Sequence, residues 1–344
     1  MGGQAWSASN AVSRRAAAAP AEPASGECPP CILVNPRSFS ASRGGLAERA
    51  ARLGRAYGAD VIRAADSAEI DAAMDLLIAR QQQRVVLVAG DGTLRAVVDR
   101  LAAAAASVPR PHLLVLGGGR ANLVSRDFGE RGNVLRKLET ALQSWRDGIP
   151  LGTEVRHVLE VVQPPAPRRL GFFLGAGLVD YAIRACRRDR MSGGMLWQSK
   201  AATYLTLLRL TVPAMLGRLE PLIDDLHVRV PGREALHDAA HLLIATTLQR
   251  RQGAVDPYAA RGRGVVRFTA VAARGMGFWA RLPLVVTGRF TRGMDAEHGY
   301  LSGSCDALEV EQLSTYTLDG EEFTADPARP VMIRQGPAVT FLAL

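Results

Sequence analysis

The feature that most constrains this chain is the run Val85-Val86-Leu87-Val88-Ala89-Gly90-Asp91-Gly92-Thr93. Residues 85–89 are continuously apolar and do not alternate, and glycine closes them, which predicts a strand buried on both faces of a parallel sheet. Residues 94–106 are alanine-rich with Leu94, Val97, Val98 and Leu101 at helical spacing, so the glycine turn is expected to feed a helix. A strand-to-helix turn of this kind aims backbone N–H groups and the positive helix end above the sheet, where phosphate binds. Gly90 and Gly92 let a phosphate approach the backbone, and Asp91 would act on it through a magnesium ion. The local pattern is equally that of an ordinary turn with a helix-capping aspartate.

The same texture recurs on either side. Residues 31–34 form a short apolar strand ending in Asn35-Pro36-Arg37-Ser38; a helix is expected over 45–57, a strand over 59–63, and a helix over 67–80 with Ser67 as its cap. A fourth strand, 112–116, breaks at Gly117-Gly118-Gly119-Arg120-Ala121-Asn122. Strands alternating with helices make a Rossmann-like open parallel sheet, and the turns at Asn35, Gly90 and Gly117 all lie on its carboxyl edge, where ligands bind.

After residue 150 the pattern changes to short strands between Pro- and Gly-rich turns, expected at 154–162, 169–173, 226–230, 241–247, 265–271, 284–290, 307–311, 315–318 and 331–334. That predicts a β-sandwich, interrupted by a helical insertion near 197–217. Thr317-Leu318-Asp319-Gly320-Glu321 follows one strand and reads as a hairpin turn that is also able to present a carboxylate.

With 344 residues the chain is long enough for two domains, and 48% apolar with 22% charged residues describes a globular protein. Its net charge of +9 suits an anionic partner, whether nucleotide, nucleic acid or acidic membrane; sparse aromatics and the lack of a base-reading motif argue against nucleic acid. Four cysteines give no disulfide framework, so a cytoplasmic setting is expected; Cys28-Pro29-Pro30-Cys31 lacks a second pair to complete a zinc site. His237 and His241 echo a zinc-protease helix, but Asp238 replaces the glutamate base and the segment runs into a strand, which favours ordinary surface or core histidines. Residues 1–27 read as a disordered leader without a secretory signal, and the apolar stretch 201–216 contains Arg209 and Pro213 and is too short to span a membrane.

Taken together, Asn35-Pro36-Arg37-Ser38, Gly90-Asp91-Gly92-Thr93, Gly118-Gly119-Arg120-Ala121-Asn122 and Leu318-Asp319-Gly320-Glu321 resemble, in order and interval, the catalytic domain of the diacylglycerol kinase and sphingosine kinase family of lipid kinases. The resemblance implies a nucleotide-binding α/β domain at 28–150, possible completion of it by 330–344, a β-rich lipid-substrate domain at 151–329, and an active site in the cleft between. It implies ATP and Mg2+ as cofactors, nucleotide contacts from Asn35, Pro36, Gly90, Asp91, Gly92, Thr93, Gly118, Gly119, Arg120 and Asn122, metal ligation by Asp91 and Glu321, and Asp319 as the base. The activity implied is transfer of the γ-phosphate to a primary hydroxyl of a lipid such as diacylglycerol, ceramide or a sphingoid base, at the anionic inner face of a membrane. Two alternatives stay open: a kinase for a soluble hydroxyl compound, and a degenerate member that binds nucleotide or lipid without transfer. A homodimer is also left open.

The sequence departs from the family pattern at Phe39, Ala89, Arg95, Ala96, Gly117 and Arg120; an arginine at 120 would either grip phosphate or crowd it. Residues 171–177, 191–216 and the arginines 184, 187, 188 and 190 are candidates for an acyl groove and headgroup contacts, or equally for core strand and solvated helix face.

Overall fold

The computed structural model describes residues 28–38, 45–105, 107–118, 122–128, 132–184, 222–233, 235–249, 255–273 and 277–344. The expected leader, the helical insertion near 197–217, and Phe39, Gly119, Arg120 and Ala121 lie outside them.

The continuously apolar run forms β3 (Arg84–Ala89), buried in all but its first residue. It lies between β1 (Cys31–Val34) and β4 (His112–Gly117), with β2 (Asp60–Arg63) at the edge, all parallel. Because side chains alternate across a strand, each strand feeds two cores. Val85 and Leu87 pack under α2 (Ser67–Ala79) and α3 (Asp91–Ala103), while Val86 and Val88 pack under α1 (Leu46–Ala56) and α5 (Val134–Arg146). Each fully buried Val or Leu here contributes about 1.5–3 kcal/mol relative to exposure, which is why the run tolerates no polar interruption. A short helix, α4 (Leu123–Asp127), lies between β4 and α5.

The second half is antiparallel. It comprises β5 (Gly152–Val162), β6 (Arg169–Gly171), β7 (Phe173–Gly177), β8 (Ile223–Arg229), β9 (Leu236–Thr246), β10 (Val266–Ala272), α6 (Phe278–Val286), β11 (Tyr300–Cys305), β12 (Ala307–Glu311), β13 (Thr315–Leu318), β14 (Glu321–Thr324) and β15 (Val331–Ala343). Residues from β5 and β7 to β13 and from β15 meet in one core, among them Leu159, Leu174, Leu226, Leu243, Phe268, Leu308 and Ile333, so strand packs on strand. β15 joins the halves: it runs antiparallel to β12 and β5, and its far end pairs parallel to β4 through Phe341 and Leu113. The parallel and antiparallel strands therefore form one hydrogen-bonded network.

Several local expectations change. The cap of α2 is Asp66, whose carboxylate accepts from Glu69 N, and Ser67 is already helical. α3 begins at Asp91, so the Gly-Asp-Gly-Thr segment is its first turn and not a loop before it. Residues 284–290, expected as a strand, are the end of α6 and the turn after it; Val285 and Phe278 share its buried side against Leu242, Ile244 and Val271, a spacing that a three-residue apolar run does not reveal. The strand expected at 331–334 continues to Ala343, and α4, α5, β11 and β14 are additional elements. Among the described residues no helix is long and apolar enough to cross a membrane.

Candidate active site

At the carboxyl edge of the parallel strands, Gly90 is extended and caps α3, its N–H donating to Ser38 Oγ at 3.2 Å. The first intrahelical bond is Leu94 N to Gly90 O, 3.1 Å, so the N–H groups of the first turn have no acceptor within the helix and project from its positive end. Asn35, buried at the end of β1, donates from Nδ2 to Thr93 Oγ1 at 2.8 Å, while its Oδ1 accepts from Arg37 N. Asn35 thus ties the Pro36 loop to the first turn of α3. Gly118 N donates to Ala89 O at 2.7 Å, and a Cβ on Gly118 would lie 3.0 Å from Ala89 N, so the third loop presses directly on the end of β3. Asn122 caps α4 in the left-handed region (φ 50°), its side chain against Gly117. The described parts of the three loops therefore converge; Gly119 and Arg120 are outside the described residues.

The second half contributes the β13–β14 hairpin. Asp319 and Gly320 both have positive φ (50° and 84°), the tight turn that Asp-Gly favours. This turn presents the Asp319 carboxylate to the backbone: Phe172 N donates to both oxygens at 3.0 Å and Phe173 N to Oδ1 at 2.9 Å. Gly171 makes room, since a Cβ there would lie 2.7 Å from Asp319 Oδ2 and 2.6 Å from Leu318 Cγ. Burial is the main cause pushing the Asp319 carboxyl up to about 7, and the negative charge of Asp91 adds to it; the two N–H donors and Arg95 pull the other way. Asp91 and Asp319 are thus within electrostatic reach of each other.

Glu321 also reaches α3. Its Oε2 pairs with Arg95, one turn along α3 from Asp91, and its Oε1 faces Gly92, 3.7 Å from where a Cβ would sit. Arg95 lies 3.9 Å from Asp99 and over the Phe323 ring, which Arg169 also covers; burial raises the Asp99 carboxyl, and Arg95 opposes that rise. Arg95 had stood out in the sequence only as a departure from a pattern, and its role as the contact between the halves was not legible there. Nor were the Phe172 and Phe173 N–H groups, although the glycine at 171 was a signal that a backbone approaches closely.

Other candidates do not join the site. Phe172, Leu174 and Ala176 are core residues, and Arg184 is held by Asp180 and Glu322. Burial pushes the Cys31 thiol up to about 12, which removes thiolate chemistry at neutral pH. His241 is buried on β9 against Phe278 and Trp279, and His237 is exposed on the same strand, so the two do not form a helical metal pair.

Residues 29–153 match the family model described as the diacylglycerol kinase catalytic domain. No curated protein matches the chain. Among solved structures, a crystal structure of a diacylglycerol kinase from Bacillus anthracis str. Sterne aligns with a TM-score of 0.59 at 13% identity, covering 92% of this chain and 97% of that one. A crystal structure of a putative diacylglycerol kinase from the same organism aligns with a TM-score of 0.63 at 14% identity and the same coverage, 92% and 97%. The two-part fold, parallel then antiparallel, is that of these structural neighbours.

Proposed function

We propose that this chain, whose residues 29–153 match the diacylglycerol kinase catalytic domain, is an ATP-dependent kinase that phosphorylates a primary hydroxyl of a lipid. The observation that carries the reading is the placement of Asp319: its carboxylate accepts from Phe172 N and Phe173 N within electrostatic reach of Asp91 in the first turn of α3, and burial pushes it up to about 7. A base is most effective when its pKa lies near the working pH.

In this reading the first turn of α3 receives the ATP phosphates, with Asn35 fixing Thr93 beneath them. Asp319 accepts the proton of the acceptor hydroxyl as that oxygen bonds to the γ-phosphorus and the bond to the β-phosphate oxygen breaks, releasing ADP. Asp91 and Glu321, hard oxygen donors that both lie beside the first turns of α3, would hold Mg2+, with Asp319 and Arg95 near them. When bound, Mg2+ would neutralise charge on the transferring phosphate. The nucleotide lobe is read as 28–150 completed by 330–344, supported by the pairing of β15 with β4, and the lipid lobe as 151–329. The net charge of +9 supports work at an anionic inner membrane face.

A second reading, binding without transfer, is favoured by the Arg95–Glu321 pair, which engages a carboxylate the metal would use. Purified protein with labelled ATP and Mg2+ in mixed micelles of diacylglycerol, ceramide or sphingoid base separates the two. Label transfer to one of the lipids supports the kinase; ATP binding with none transferred supports the second reading.

A further inference from the structure

The antiparallel half carries a second side-chain cluster, on β8, β9 and β12, separate from Asp319 and Glu321. Antiparallel pairing sets His227 of β8 directly opposite His237 of β9 on one side and Glu311 of β12 on the other. Asp225 stands two residues before His227, at a bulge where the β8–β9 register shifts, and reaches the same side of the sheet. Asp225 Oδ1 lies 3.2 Å from His227 Nε2 and 3.2 Å from His237 Nε2. The other ring nitrogen of His227, Nδ1, lies 3.3 Å from Glu311 Oε2.

With a single proton on His227, these contacts are poorly explained as hydrogen bonds. A proton on Nδ1, donated to Glu311, leaves the Nε2 lone pair turned toward a carboxylate oxygen, so two electron-rich atoms face each other. His227 Nε2 is indeed buried and makes no hydrogen bond, despite the short separation from Asp225. Either a second proton on His227 or a cation shared by the three groups removes the conflict, and the Co2+ spectrum below tells the two apart. Bonds of about 2.0–2.1 Å to nitrogen and oxygen in a tetrahedron place neighbouring ligand atoms about 3.3 Å apart, close to the 3.2 Å of both Asp225 contacts, while the His227 and His237 rings, 3.5 Å between centroids, must swing apart to take separate corners.

We propose that Asp225, His227 and His237 form a binding site for a divalent transition-metal ion of the zinc class, with Glu311 orienting His227. Two imidazoles and one carboxylate suit zinc, copper or nickel and not the magnesium of phosphoryl transfer. The fourth position is open to water, since His237 and Asp225 are exposed. Glu311 is the carboxylate that holds a ligating histidine by its second nitrogen, and Arg229 steadies it at 3.6 Å. The ion ties β9, β8 and β12 together and so acts as a clip across the sheet.

The test uses tag-free protein, stripped with EDTA and dialysed against Zn2+. One equivalent bound per chain is expected, together with a raised Tm and, on replacement by Co2+, visible absorption of a tetrahedral centre. His237→Gln and Asp225→Asn, both at exposed positions, should abolish the Co2+ spectrum and the Tm shift, and Glu311→Gln should weaken Zn2+ binding about 10–100-fold. Cys28→Ser and a large excess of Mg2+ should leave binding unchanged. The site is overturned if the wild type binds no Zn2+, if binding persists unaltered in His237→Gln and Asp225→Asn, or if Cys28→Ser removes it.

Discussion

The two Asp-Gly turns of the cleft share a dipeptide and differ in everything around it. Asp91-Gly92 opens α3 in ordinary helical backbone, at the positive end of the helix. Asp319-Gly320 closes a hairpin with both residues at positive φ, and its carboxylate is drawn inward onto the Phe172 and Phe173 N–H groups. The first turn takes its electrostatics from a helix, the second from burial beside a like charge. The comparison teaches that the same two residues acquire different electrostatics according to the burial and the donors that the rest of the chain brings up to them; in the proposed reading the first would receive phosphate and the second would act as base.

The sharpest way to break this contrast is Asp319→Asn. Turnover should fall about 10²–10⁴-fold, the usual contribution of a general base, while circular dichroism stays that of the native fold. The wild-type rate should rise with pH through about 7 as Asp319 ionises. Stability should move the other way. The folded pKa lies above the ordinary carboxylate value, so the contribution of Asp319 is complete below that ordinary value and is lost as pH rises through about 7. Urea titrations of wild type and Asp319→Asn should therefore diverge across that window, with the wild type losing ground at higher pH. A pH-independent difference would show that the carboxyl is not desolvated.

Gly171→Ala comes next. Its Cβ would meet Leu318 and the Asp319 carboxylate at 2.6–2.7 Å, and Leu318 is fully buried, so neither neighbour gives way easily. A loss of about 1–3 kcal/mol is expected from such overpacking, read as a lowered urea midpoint, together with reduced turnover from the displaced base. A smaller but cleaner contrast pits Gly320→Ala against Gly92→Ala. Gly320 has open space around it but φ 84°, so alanine should cost about 1 kcal/mol in backbone strain. Gly92 has ordinary helical backbone with Glu321 at a comfortable 3.7 Å, so alanine should be neutral or stabilise by up to about 1 kcal/mol. It should nonetheless weaken ATP binding, measured by calorimetry, because the methyl stands between helix and phosphate.

The smallest stability effect belongs to Arg95→Asn. The pair with partly exposed Glu321 is worth under about 1 kcal/mol. Removing the guanidinium should nevertheless shift the pH–rate profile to higher pH, because Arg95 holds the Asp319 carboxyl down. An unmoved profile would detach Arg95 from the base and leave it a purely structural contact.

The parallel half of the fold was legible because its signal is local. A run of five apolar residues closed by glycine has few alternatives, and the strands and first three helices of that half follow their own periodicity. In the antiparallel half strand pairing is long-range and apolar runs are short, so residues 284–290 were misassigned, and β11 and β14 were not anticipated. The resemblance carried by four short motifs pointed to the family whose model matches residues 29–153, because order and interval along the chain do not depend on how the intervening residues fold.

The chain's own residues determined the parallel sheet and the glycine turns at its carboxyl edge, since these depend on hydrophobic runs and glycine positions a few residues long. Only the tertiary structure decided that Asp319 titrates near 7, that Arg95 holds Glu321, and that His227 pairs with His237 and not His241 with it. Acidity, ion pairing and metal geometry are set by which groups approach within a few ångströms and how much water they exclude. Neither quantity is written in the spacing of residues along the chain.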